Sequence, residues 1–145
     1  MEFSPIFEKD AALVGLGIRA ILAGTAGKGV DQVAERLTLA GVIVDPVGDV
    51  FTAMSALIDD PADYALLVVR VASGEQVEDL ERNLRRLGDL RRRIPVIIIS
   101  EDCREQAFPN DRAEAIRLRA PLSAVSLRVA LEHGLRDRVM WRIAA

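Results

Sequence analysis

The chain has 145 residues, half of them hydrophobic and only 4% aromatic, with a net charge of −3. That length suits one domain with its own core, and an apolar stock of Leu, Val, Ile and Ala excludes a disordered or disulfide-stapled class. A mildly acidic balance argues against a general polyanion binder, and the single cysteine, Cys103, cannot close an intramolecular disulfide, which suits a reducing cytoplasm.

Short apolar runs bounded by turn residues recur along the chain, with segments of helical spacing between them. Ala20 to Ala23 is the first expected strand. A helix follows on Val30, Val33, Ala34 and Leu37, which share one face, with Gly41 as its stop. Val42 to Val44 is the second strand, and Asp49 is placed to cap a second helix that buries Val50, Met54, Leu57 and Ile58 before Pro61. Ala65 to Val71 reads as a third, fully buried strand. Ser73 with Gln76 three residues on has the capping-box spacing for a third helix carrying Val77, Leu80, Leu84 and Leu87. Val96 to Ile99 is the fourth strand.

Beyond it the pattern changes. Pro109, Asn110 and Asp111 interrupt Cys103 to Ala115, so the fourth covering helix should be short or irregular. Ala115 to Ala120 alternates, with Ile116 and Leu118 on one side and Arg117 and Arg119 on the other, as in an edge strand with one wet face. Ser123 caps a last helix with Ala124, Leu127, Leu131 and Leu135, whose pattern continues past Gly134. Strands alternating with amphipathic crossovers predict an α/β, doubly wound, five-stranded parallel sheet. The expected layout is an N-terminal segment at 1–17, one domain at 18–138 and an apolar tail at 139–145.

The order of these elements, the run Asp63 to Val71, the Pro95-Val96-Ile97-Ile98-Ile99-Ser100 strand and Ala120-Pro121 after strand five together resemble the receiver domains of bacterial response regulators. The resemblance implies a flavodoxin-like, CheY-like sheet of order 2-1-3-4-5. It also implies a site at the carboxyl end of the sheet, where a strand-three aspartate takes a phosphoryl group with the help of a divalent cation held by carboxylates. Here that chemistry looks deleted. Val68 falls on the acceptor aspartate, Gly24 and Thr25 on the acidic pair after strand one, Ala120 on the lysine before the proline, and Leu118 on the aromatic switch. Only the hydroxyl after strand four is kept, as Ser100. A shifted alignment does not restore the site, because it brings the cation of Arg70 where the metal belongs. Asp45 and Asp49 after strand two stand about 14 Å from Glu101 and Asp102 after strand four, at ~4.8 Å per strand spacing, too far to share one ion.

Three other constellations carry chemistry of their own. Gly24-Thr25-Ala26-Gly27-Lys28-Gly29 is a glycine-rich turn before a helix, and Gly24, Gly27 and Lys28 are its candidate nucleotide contacts. It departs from the phosphate-loop motif at Leu22 and Gly29. Arg82, Arg85, Arg86, Arg91, Arg92 and Arg93 form a basic run, expected to be a solvated helix face because acids dilute it and no aromatic interleaves it. A lone His133 excludes a multi-histidine metal site, and Cys103 reads as a buried or loop thiol.

The reading that results is a non-phosphorylatable, receiver-like signalling module of a bacterial two-component or regulatory pathway. It is expected to be cytoplasmic, with no enzymatic activity, cofactor, metal or membrane partner, and to work through a protein partner or a homodimer. Its expected interaction surface comprises Arg117, Arg119, Met140 and Trp141. A nucleotide-binding domain is the chief alternative, followed by a small nucleic-acid-binding regulator.

Overall fold

The protein is described by a computed structural model over residues 15–72 and 77–144, with side chains described through Arg136. The expected capping box at Ser73 and Gln76, most of the N-terminal segment and the side chains of Val139, Met140, Trp141 and Ile143 lie outside the described residues.

Five parallel strands form one sheet, β1 (Arg19–Ala23), β2 (Ile43–Val47), β3 (Leu66–Arg70), β4 (Val96–Ser100) and β5 (Ile116–Arg119), in the order 2-1-3-4-5. This is the doubly wound arrangement expected from the alternation of strands and crossovers. The central strands read as continuous apolar runs because both faces are covered, and Leu66 to Val69 and Val96 to Ile99 are accordingly buried throughout. Helices α1 (Lys28–Leu39) and α5 (Ala124–Ala144) cover one face, where Val30, Val33, Leu37, Leu127, Ala130 and Leu131 pack with Leu22, Val68, Ile97 and Leu118. Helices α2 (Val50–Asp59) and α3 (Val77–Leu84) cover the other, bringing Met54, Leu57, Val77 and Leu84 onto Ile21, Leu67, Val69 and Ile98.

Local signals place the helix ends. Gly41 follows α1 in the left-handed region, at φ 92°, and its amide bonds the Thr38 carbonyl, the conformation that favours glycine after a helix. Asp49 caps α2 through its Oδ1, which accepts from the Thr52 amide at 2.8 Å. Ser123 Oγ accepts from the Ser126 amide at the start of α5. The helix runs through Gly134, where a Cβ would approach Ile116 Cδ1 at 3.3 Å and Pro95 at 3.4 Å, so a small residue lets α5 lie close on the sheet.

Several expectations need correction. Ile58 is exposed rather than buried, because α2 is amphipathic about Ala53, Met54 and Leu57 and position 58 falls outside that stripe. Ala124 is likewise exposed, in the first turn of α5. The third helix is not continuous to Leu87: α3 tightens into a 3-10 turn at Arg85–Leu87, breaks at Gly88 and resumes as a short helix, α4 (Leu90–Arg93). Asp45 does not follow the second strand but lies within it, and its carboxylate meets Arg19 Nε at 2.9 Å. Arg91 does not share the solvated face of the arginine run. It is buried at 5% exposure.

No helix forms between β4 and β5, the irregular outcome of the short or irregular segment expected there. Instead Ala107 pairs with Arg117 through two backbone hydrogen bonds of 2.9 and 3.0 Å, covering part of the free edge of β5. Side chains also tie this connection to its surroundings: its own Arg112 Nε donates to the Arg92 carbonyl at 2.8 Å, while from outside Arg119 donates to the carbonyls of Cys103 and Arg104, and His133 Nε2 donates to the Pro109 carbonyl at 2.6 Å. A carbonyl only accepts, so that contact places a proton on Nε2.

Candidate functional site at the carboxyl end of the sheet

The parallel register decides which residues meet at the carboxyl end. Leu22 lies opposite Val68 and Ala23 opposite Val69, so the residue beside Gly24 is Arg70, not Val68. Val68 is fully buried two residues inside β3, between Leu22 and Ile97, in the core beneath α1 and α5. It has no access to the sheet edge. Leu118 and Ala120 belong to the same buried cluster, so of the six positions aligned with the phosphorylation chemistry, three are core.

The edge itself is organised around Arg70, whose side chain is 12% exposed. Its guanidinium donates to the Val71 carbonyl and, through Nη2, to Glu101 Oε1 at 3.2 Å, linking the end of β3 to the turn after β4. The turn after β1 is fitted around this side chain. A Cβ on Gly24 would stand 2.9 Å from the Arg70 carbonyl oxygen and 2.9 Å from Val30 Cγ2, and one on Gly29 would stand 3.1 to 3.3 Å from the guanidinium. Gly24 is required by close approach, since its own amide must also reach the Val47 carbonyl at 3.1 Å. Thr25, Ala26, Gly27 and Lys28 are exposed, and α1 starts at Lys28 without a side-chain cap.

Among the described residues of this edge, the carboxylates of Glu101 and Asp49 and the hydroxyl of Ser100 are already engaged. Glu101 faces Arg70; Asp49 spends both oxygens on the Thr52 amide and hydroxyl; Ser100 is fully buried and its Oγ accepts from the Asp102 amide at 3.1 Å. Hydrogen bonding to Thr52 pulls the Asp49 carboxyl below its usual range. A divalent cation would need several anionic oxygens at ~2.1 Å, whereas the charged group fitted against this turn, at Gly29, is the Arg70 guanidinium. Among the described residues no group of three His, Cys, Asp or Glu side chains is gathered to hold a metal. The described residues of this edge therefore do not fit the cation that receiver chemistry uses.

The other sequence candidates are dispersed. Arg117 is partly buried, its guanidinium 3.4 Å from Glu81 of α3, so the arginine face of β5 is partly covered at this position. Arg119 is exposed but engaged with two carbonyls. Cys103 is buried, and burial pushes its thiol up, away from the thiolate a nucleophile requires. Buried Arg91, whose Nε has no hydrogen-bond partner, is disfavoured as a cation by desolvation, with Glu81 acting in its favour. The Arg70 to Glu101 link was visible in sequence only as an arginine out of place in an apolar strand. Its partner becomes evident once the register puts β3 beside β4.

No family model matches the chain, and no curated protein matches it in sequence. Solved structures do match in three dimensions. A probable two-component system response regulator/GGDEF domain protein superposes with a TM-score of 0.64 at 17% identity, over 86% of this chain and 51% of that one, so the chain spans about half of that protein. A response regulator receiver domain protein from Clostridium thermocellum gives 0.63 at 13% identity, over 85% and 98%. A pilus assembly-related protein from Burkholderia pseudomallei gives 0.61 at 19% identity, over 83% and 90%. With its sheet of order 2-1-3-4-5 and helices on both faces, the chain has the fold of receiver domains.

Proposed function

We propose that this protein is a receiver-like signalling module that has exchanged phosphorylation for a fixed ion pair and acts by binding another protein or a second copy of itself. The reading is carried by Arg70. At the end of β3, beside Gly24, the chain supplies a cation where receiver chemistry needs an aspartate, and that cation already holds Glu101 from the turn after β4. In a phosphorylated receiver the phosphate biases a bistable surface around the fourth helix and fifth strand; here the link from Arg70 to Glu101 joins the ends of β3 and β4 with no transferable group to switch it. The pathway is a two-component or related regulatory system, in keeping with the neighbours of this fold, one of which is named for pilus assembly. Self-association would use β5 and the end of α5, where Met140 and Trp141 lie in sequence.

Incubation with a small phosphodonor and magnesium tests the core of this proposal. The intact mass is expected to stay unchanged, and a stoichiometric acyl phosphate would overturn it. The nucleotide-binding alternative has one observation in its favour, the start of α1 at Gly27 and Lys28 without a side-chain cap, with the next residue, Gly29, against the Arg70 guanidinium. A nucleotide that raised the unfolding temperature in the wild type but not in Lys28→Ala would move the assignment to that reading.

A further inference from the structure

Across the sheet from α2 and α3, the C-terminal turn of α1 and the first turns of α5 enclose a groove of about 280 Å³, lined by Arg36, Leu39, Ala40, Val125, Leu127 and Arg128. Its lining is mostly apolar, and two of its residues are unusually open for large hydrophobic side chains, Leu39 at 64% and Val125 at 72%. Arginines stand on both sides, Arg36 from α1 and Arg128 from α5, the latter 3.2 Å from Glu132. An apolar floor between two guanidinium groups fits an acidic segment with large apolar side chains.

Such a segment begins where the groove ends. The Gly15 amide donates to the carbonyl of Ala40, a groove residue, at 3.0 Å, and a Cβ on Gly15 would stand 2.3 Å from Val42 Cγ2, so the chain is held tightly against the end of α1 at this point. The residues immediately before it, 1 to 14, contain Phe3, Ile6 and Phe7 together with Glu2, Glu8 and Asp10, and so hold two of the four phenylalanines of the whole chain. Seven residues separate Phe7 from Gly15, so the eight steps between them span at most about 26 Å when extended, ample to reach a groove that starts at the anchor itself. Tethering at that distance also raises the local concentration of the segment to the order of millimolar, above what an untethered peptide would offer.

We infer that the groove between α1 and α5 is the docking site for this chain's own first fourteen residues, with Phe3, Ile6 and Phe7 on the apolar floor and the acids facing Arg36 and Arg128. The arrangement makes the segment an intramolecular occupant that a partner reaching this face must displace. It is independent of the chemistry at Arg70.

A nitroxide attached at Ser4→Cys, in a full-length chain whose buried Cys103 is replaced by Ala, tests the placement. The amide signals of Leu39, Ala40, Val125 and Arg128 are expected to lose most of their intensity, while those at the opposite face in α2 keep theirs. Arg36→Glu with Arg128→Glu, and separately Phe3→Ala with Phe7→Ala, should restore the lost intensity without changing the unfolding midpoint. Mixing spin-labelled chain with unlabelled ¹⁵N chain should leave the groove signals intact. Broadening at the groove that persists in the mixed sample would assign the groove to a second copy, and no broadening at the groove in either sample would leave it to another protein; each overturns the inference.

Discussion

Arg70 occupies a position that most arginines could not, at the end of a strand buried on both faces and with only an eighth of its side chain exposed. It is tolerated because its nitrogens find the Val71 carbonyl and Glu101, and because two glycines leave room for it. Removing that room should be costly. Gly24→Ala places a methyl group 2.9 Å from a backbone oxygen that cannot rotate away, and it is expected to destabilise by about 2 kcal/mol in urea unfolding. Arg91 presents the opposite case, a buried guanidinium whose Nε has no partner. Arg91→Met keeps most of the packing volume and drops the desolvation cost, so stability should rise by ~1 kcal/mol. A loss of stability would mean that Arg91 is satisfied by contacts with Glu81 or Asp111 stronger than its burial implies.

At the scale of elements, short-range chemistry explains the helices and long-range contacts explain the exceptions. The Asp49 cap was legible from a single residue before an apolar stripe, and its structural consequence is a carboxyl held below its usual range by the Thr52 amide and hydroxyl. A depressed folded value means that the carboxylate contributes stability above its unfolded range near pH 4, and that this contribution is lost as the pH falls through the lower folded value. Asp49→Asn keeps an acceptor for the Thr52 amide but removes the titration. Wild type and variant should therefore converge in stability as the pH drops below 4, with wild type the more stable near neutrality in thermal unfolding. The 101–115 connection shows the reverse logic. Pro109 made a regular helix improbable, but nothing in the local sequence says that Ala107 would pair with β5, since that contact joins residues ten apart through an irregular chain. The arginines of β5 were readable as unsuited to burial, while their partners Glu81, Cys103 and Arg104 come from other elements.

For the molecule as a whole, the proposal of self-association rests on β5 and the end of α5. Trp141→Ala is expected to lower the dimer fraction in sedimentation velocity without shifting the unfolding midpoint, because a side chain used between copies leaves the monomer core alone. A lowered midpoint with no change in mass would place Trp141 in the fold instead. Layering is what the sequence determined by itself: apolar periods of two and of three to four, turn residues between them, and capping at Asp49 and Ser123 suffice for a five-stranded parallel sheet with helices on both faces, because these signals are local and repeated. Register was left to tertiary structure. A shift of two residues along an apolar strand preserves its pattern, so Val68 and Arg70 could not be ranked as the sheet-edge residue until hydrogen bonding put Ala23 opposite Val69 and set Arg70 beside Gly24 and Glu101.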